Sequence, residues 1–282
     1  MRSGLEPASL ADLLERLRLE RGTEDLFLGD PGPGEGTLYG GLVAAQGFLA
    51  AAASGVEPAR PLHSLHGTFL RPGRHDVPIR YAVERIRDGR SFTTRRVRAE
   101  QAGDEIFGMT ASFALPEEGI SHQDPMPEAA APESLRDWDE LRAELLGGSP
   151  QAPTPIEVRL CDPYGREPDP ARAPRQRAWL RVRGELPEDP LVHTAVLIYA
   201  SDRTLSAAAI RPHGLRARQG MFASLDHAVW IHRPVRLEGW ILYASESPAA
   251  HSARGLVFGA LYTRAGLRLA SVAQEGLIRA PR

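Results

Sequence analysis

One pattern is written twice in this chain. Leu62-His-Ser-Leu-His66-Gly-Thr-Phe-Leu-Arg71-Pro72 reads as a strand stopped by Arg-Pro, and Leu225-Asp-His-Ala-Val-Trp230-Ile-His-Arg233-Pro234 repeats it roughly 160 residues later. Alternating residues follow each Arg-Pro: Ile79, Tyr81 and Val83 in one half, then Leu237, Trp240, Leu242 and Tyr243, less regularly, in the other. Each half then offers a hairpin. Phe92 to Leu115 turns at Ala102-Gly-Asp104, and Ala253 to Ile278 turns at Arg264-Ala-Gly266. A repeat constrains a fold more than any local propensity does, because like halves must bury like faces.

Each set of strands is preceded by an apolar helix: Leu42 to Ala53, introduced by Gly40-Gly41, and Leu191 to Ala209. A helix with almost no charge is enclosed rather than laid on a surface. The expected architecture is α+β, two similar halves, each with a sheet wrapped around one helix and the sheets joined side by side to cover their edges. Between the halves, Pro116 to Pro155 is rich in Pro, Glu and Gly. It is broken by one amphipathic stretch, Glu133 to Leu146, whose apolar positions are Leu135, Trp138, Leu141, Leu145 and Leu146. The expected division is residues 1–118, a connector over 119–154, and residues 155–282.

Composition removes several chemistries. Lys is absent, so all 34 basic residues are Arg, which excludes a Schiff base, a pyridoxal anchor and a P-loop lysine. A formal charge of −2 gives no bulk attraction to nucleic acid. The single Cys161, in Val158-Arg-Leu-Cys161-Asp-Pro163, excludes an intramolecular disulfide and reads as a buried small hydrophobe at a strand end. Leu10, Leu13, Leu14 and Leu17 form the buried stripe of a surface helix rather than a leader, and no stretch is long and apolar enough to span a bilayer. The C-terminal Ala280-Pro281-Arg282 is not a peroxisomal address. A cytoplasmic location is expected.

Few constellations survive inspection. No H-E-x-x-H, C-x-x-C or G-x-S-x-G occurs, so no metal or cofactor is expected, and the glycines from Gly29 to Gly36 have the wrong spacing for a dinucleotide loop. Ser224-Leu-Asp226-His227 invites comparison with a hydrolase triad. On a regular strand, however, Ser224 and Asp226 share one face while His227 takes the other, where it reads as a locally bonded core histidine. Asp202, in Tyr199-Ala-Ser-Asp202, is a carboxylate in or at the end of an apolar helix; a salt bridge to an Arg and a functional role both fit it. Gln274 is an amide near the apolar end of the last hairpin, for which ordinary hydrogen bonding is the simpler reading. Arg71, Arg95, Arg233 and Arg254 read first as arginines covering sheet edges and pairing with acids.

Taken in order, Leu62-His-Ser-x-His66, Phe69-Leu-Arg-Pro72, Arg87-Asp-Gly-Arg-Ser-Phe92, Arg95-Arg-Val97 and Met109-Thr-Ala-Ser-Phe113 resemble the first half of the type II (TesB-like) acyl-CoA thioesterases. Tyr199-Ala-Ser-Asp202, Leu225-Asp-His227, Trp230-x-His-Arg-Pro234, Ser252-Ala-Arg-Gly255 and Gln274-Glu-Gly276 resemble the second. The resemblance implies a double hotdog fold and hydrolysis of acyl-CoA to free acid and CoA with neither metal nor covalent intermediate. It implies that Asp202, Ser224 and Gln274 hold one water, with Ser224 where bacterial members commonly have Thr. It also implies self-association into a homo-oligomer. The first half is expected to be scaffold-like, since Gln46 occupies the place analogous to Asp202. Two other readings are an enoyl-CoA hydratase or dehydratase of hotdog fold, and a non-catalytic acyl-CoA binder. The hydratase pattern of Asp followed five positions later by His fails here, because that position is Ala207.

Overall fold

The segment Gly40–Ala53 has no polar face to offer water, and its leucine, valine, alanine and phenylalanine side chains require a partner on every side. The computed structural model describes residues 7–146, 154–162, 168–169, 171–214 and 221–279, and it supplies those partners from a single antiparallel sheet. The helices are α1 (Leu10–Arg16), α2 (Gly40–Ala53), α3 (Trp138–Leu146), α4 (Pro190–Ser201) and α5 (Ala207–Ile210). The strands of the first half are β1 (Glu20–Arg21), β2 (Leu26–Gly29), β3 (Leu62–Phe69), β4 (Ile79–Asp88), β5 (Phe92–Gln101) and β6 (Asp104–Ala114). Those of the second are β7 (Ile156–Leu160), β8 (Arg175–Val182), β9 (Met221–Ser224), β10 (Asp226–Ile231), β11 (Ile241–His251), β12 (Arg254–Thr263) and β13 (Arg268–Arg279).

The strand order displays the repeat. Along the sheet β4-β5-β6-β3 is followed by its reverse counterpart β10-β13-β12-β11, so the halves meet where β3 pairs with β10. Thr68 lies opposite Asp226, His66 opposite Ala228 and Ser64 opposite Trp230. Pairing at this seam satisfies two strand edges that would otherwise be open to other chains. β2 and β1 extend the sheet beyond β4, and β8 and β7 extend it beyond β11; of these only the end of β7 was legible in the sequence. The two expected hairpins form as read, with Ala102 and Gly103 at φ 50 and 90 and Gly266 at φ 86, the left-handed conformations that tight turns require.

The two halves together make an α+β double hotdog, with α2 and α4 packed on each other inside the sheet. Phe48, Ala44, Ala45 and Ala50 of α2 and Ala195 to Tyr199 of α4 are fully enclosed. Burial of each larger apolar side chain stabilises the fold by about 1.5–3 kcal/mol. One inward position is an arginine. Arg95 on β5 is completely buried, and its guanidinium donates to Ser54 Oγ, the Arg87 and Thr94 carbonyls and Asp88. It thereby brings a cation to the C-terminal end of α2, the favourable end of the helix dipole for positive charge.

Two expectations need correction. The segment Leu191 to Ala209 is not one helix: α4 ends at Ser201, residues 202–206 form turns, and α5 begins at Ala207. The break follows from competition for the last carbonyls of α4, which side chains capture. Ser201 Oγ bonds to Ile198 O at 2.9 Å, Tyr39 Oη to Tyr199 O at 2.8 Å, and Tyr243 Oη to Ser201 O at 2.8 Å. The amphipathic stretch from Glu133 also divides, into a 3₁₀ turn at Pro132–Ser134 and α3 from Trp138. The side chains of Leu145 and Leu146, residues 147–153 of the connector, and Ala280-Pro281-Arg282 lie outside the described residues.

What remains of the connector is a strap across the outer face of the second half. Trp179, Trp240, Leu242 and Tyr262 form a second apolar cluster there, covered by Met126, Ala129 and Leu135. Trp179 Nε1 donates to Ala130 O at 2.8 Å, Gln123 bonds the backbone at Gly266 and Arg268, and Arg264 pairs with Glu133. Trp179→Ala should therefore destabilise the chain by about 3–5 kcal/mol, the usual cost of truncating a buried tryptophan. Chemical denaturation measures this, and a loss below about 1 kcal/mol would show that the strap contributes little to the fold.

Candidate active site

Asp202 caps the C-terminal end of α4, the end at which a helix disfavours negative charge. The N-terminal turn of α2 compensates, because Gly41 N–H donates to Asp202 Oδ2 at 2.9 Å. Glycine is what lets these two helix ends meet. A Cβ at position 40 would lie 2.7 Å from the Phe69 ring and 3.1 Å from Asp202 Oδ2, and one at position 41 would lie 2.6 Å from Tyr199 O. In the sequence alone Gly40-Gly41 reads only as the start of a helix. Burial, and then the nearby Asp202 charge, hold the Tyr243 phenol well above its usual pKa, so it stays a donor to Ser201 O.

The other carboxylate oxygen begins a chain of side chains. Ser224 Oγ donates to Asp202 Oδ1 at 3.3 Å, and Gln274 Nε2 donates to Ser224 Oγ at 2.8 Å. Gln274 Oε1 is 2.6 Å from His227 Nδ1, and His227 Nε2 is 2.8 Å from Ser201 Oγ. Asp202, Ser224 and Gln274 thus converge from a helix end and two strands. Asp202 and Ser224 are half-buried, whereas Gln274 and His227 are buried.

His227 departs from expectation. A regular strand would direct it away from Ser224, yet both touch Gln274. Ser224 pairs with Gly276 in β9–β13, while Ala228 pairs with Ala273 in β10–β13, so four steps on one strand face three on the other. The extra residue is a bulge at Leu225, and a one-residue slip exchanges the faces of every following side chain. Asp226 closes the irregularity by accepting Glu275 N–H at 2.7 Å and takes no part in a triad. His227 is the buried, locally bonded histidine that was expected, but one of its partners is Gln274.

In the first half, Gln46 is a structural amide. Its Nε2 donates to Arg16 O and Asp30 O, and its Oε1 accepts from Tyr81 Oη at 2.7 Å. It lies in the middle of α2 rather than at its end, so it is not the positional counterpart of Asp202. That counterpart is Gly55, since Ser54 matches Ser201 in bonding the carbonyl three residues back. The four arginines read as covering sheet edges all have partners within the fold: Arg71 the Glu105 carbonyl, Arg95 the set described above, Arg233 the Arg268 carbonyl, and Arg254 Glu275. Among the described residues, no group of three or more His, Cys, Asp or Glu is placed to hold a metal ion, and no helix is long and apolar enough to cross a membrane.

Cys161 lies just after β7 and is half-buried rather than buried, packed against the outer cluster. Burial, then the Asp162 carboxylate, push its thiol up to about 11. Thiolate is the reactive form, so labelling at pH 8 should run about 10²-fold slower than for a thiol with the ordinary value, and should accelerate as pH rises toward 11. Stopped-flow labelling with a chromogenic disulfide measures this, and rapid labelling at pH 8 would contradict it.

Comparison with known proteins places the chain in a family. The acyl-CoA thioesterase profile matches residues 166–277, and the acyl-CoA thioesterase N-terminal domain profile matches residues 29–114. Acyl-coenzyme A thioesterase 8 of Mus musculus is 38% identical over 93% of this chain and 87% of its own length. Acyl-CoA thioesterase 2 of Haemophilus influenzae is 36% identical over 96% and 98%. The crystal structure of the acyl-CoA thioesterase II TesB2 from Mycobacterium marinum is 39% identical, covers 95% of this chain and 97% of its own, and superposes with a TM-score of 0.80. A dehydratase domain of PpsC from Mycobacterium tuberculosis shares the fold alone, at 13% identity and a TM-score of 0.53. Identity this high across both halves makes the chain a member of the type II acyl-CoA thioesterase family.

Proposed function

We propose that this enzyme hydrolyses the thioester of fatty acyl-CoA with one water activated by Asp202, Ser224 and Gln274. The observation that carries the reading is the unbroken chain of contacts from Gly41 N–H through Asp202 and Ser224 to Gln274. Asp202 takes a proton from the water as its oxygen adds to the thioester carbonyl carbon. A positioned base of this kind contributes about 10²–10⁴-fold. Negative charge then develops on the carbonyl oxygen, where hydrogen-bond donors stabilise it as it forms. Collapse of the tetrahedral intermediate breaks the C–S bond, and the departing thiolate recovers the proton from Asp202. The products are the free acid and CoA, and no metal or cofactor enters the sequence. Ser224 and Gln274 fix the water before reaction, which removes orientational entropy from the barrier.

In this reading residues 155–282 carry the reacting groups, residues 1–118 contribute scaffold and the Gly41 amide, and residues 119–154 connect them. We place the enzyme in the cytoplasm, whose reducing conditions suit its single free thiol. Acyl-CoA is the partner; neither nucleic acid nor a membrane span has a part. Copies of the chain are proposed to self-associate, and sedimentation as a monomer at micromolar concentration would remove that element.

Release of CoA from saturated acyl-CoA tests the site. Asp202→Ala should lower kcat by about 10²–10⁴-fold, and Gln274→Ala should also cost heavily. Ser224→Ala should cost less than Asp202→Ala, and Ser224→Thr should remain active because the hydroxyl is kept. Because these residues share one task, Asp202→Ala combined with Gln274→Ala should lose far less than the product of the single losses. A folded Asp202→Ala enzyme as fast as the parent would overturn the assignment. Tight acyl-CoA binding without turnover in the parent would favour the binder, and hydration of enoyl-CoA the dehydratase branch.

A further inference from the structure

The hydrogen-bond directions around Gln274 can be deduced from valence alone, starting at the carboxylate. An ionised Asp202 only accepts, so the single hydrogen of Ser224 points to Oδ1. Ser224 Oγ must then accept from its other neighbour, which fixes the amide with Nε2 toward Ser224 and Oε1 toward His227. Oε1 only accepts, so His227 Nδ1 carries a hydrogen. Reversing the amide would set Nε2 against His227 and leave Oε1 competing with Asp202 for one hydroxyl hydrogen.

The far side of the imidazole is consistent in either charge state. In the neutral ring, Nε2 accepts from Ser201 O–H. In the protonated ring, Nε2 donates to Ser201 Oγ, whose hydrogen goes to Ile198 O. Both states keep Nδ1–H on Gln274, and the ring is completely enclosed, so water does not compete for that bond.

We infer that His227 is a positioning residue: its Nδ1–H holds the Gln274 side-chain amide in the one orientation that presents Nε2 to Ser224 and the water. This inference rests on Gln274 being a water-orienting residue, and it adds a role for a side chain whose hydrogen-bond partners are Gln274 and Ser201 rather than Asp202 or Ser224. The energetic reason is local. An amide free to flip would spend part of its time presenting Oε1 to Ser224, and misplacing a water partner by about 1 Å is enough to cost about 10²-fold in rate.

Replacement side chains of graded reach test it. The Asn amide nitrogen falls near the position of a histidine Nδ1, the Gln amide nitrogen near that of Nε2, and Leu offers no donor. His227→Leu should lower kcat by about 10²-fold with KM changed by less than about threefold. His227→Asn should recover kcat to within about tenfold of the parent, and His227→Gln should remain as slow as His227→Leu. In a Gln274→Ala background, His227→Leu should change kcat by less than about twofold, because the group it positions is gone. Thermal unfolding of each variant identifies folded enzyme; if His227→Leu does not fold, the Asn and Gln variants carry the comparison. Parental kcat in His227→Leu beside an impaired Gln274→Ala would overturn the inference. So would equal rates for the Asn and Gln variants, or the same loss from His227→Leu with and without Gln274. A fully active Gln274→Ala would instead overturn the site assignment on which the inference rests.

Discussion

Two helices that cannot face water must be hidden together, and the seam between β3 and β10 is what allows one sheet to hide both. Without that pairing each half would expose a strand edge and the flank of its apolar helix. With it, α2 and α4 lie against each other, and the N-terminal turn of one arrives at the C-terminal end of the other. The meeting of Gly41 and Asp202 is thus a consequence of enclosing the helices. The carboxylate occupies a place where one dipole disfavours it and the other receives it.

An apolar enclosure makes its few polar groups expensive unless each finds a partner. The second half answers with a continuous chain from Asp202 through Ser224, Gln274 and His227 to Ser201, which returns to the residue beside Asp202. Tyr39 and Tyr243 complete the arrangement by taking the last carbonyls of α4. The first half meets the same demand with a buried arginine, Arg95, at the corresponding helix end in place of a carboxylate. Gln46 satisfies backbone carbonyls, and Gly55 stands at the helix end where the second half has Asp202. One fold repeated in a chain thus carries a carboxylate at one of these helix ends and a glycine at the other.

The strap shows a different use of the same physics. Three aromatic side chains and Leu242, on β8, β12 and at the entry to β11, would leave a large apolar patch in water, and residues of the connector cover it. Its backbone is fixed by side chains reaching out from the sheet, Trp179 to Ala130 and Arg159 to Pro132 and Leu135. A segment that composition marks as a linker is therefore part of the second half's packing.

The amino-acid sequence by itself determined the repeat, the two enclosed helices, the hairpin turns and the family motifs, because these depend on local periodicity and on turn residues whose conformation few neighbours can alter. It also presented Asp202 and Gln274 as polar groups out of place in apolar surroundings. The exclusion of lysine chemistry needed no fold at all. Only the tertiary structure decided where α4 stops, because the groups that capture its carbonyls are Tyr39 and Tyr243, which are distant in sequence. Only it decided that His227 faces Gln274, because a bulge is a mismatch between two strands and leaves no mark on one strand's alternation. The place of Gly41 beside Asp202 was decided the same way: a glycine pair signals that backbone can approach closely, and the partner that approaches is fixed by the packing of one helix on another.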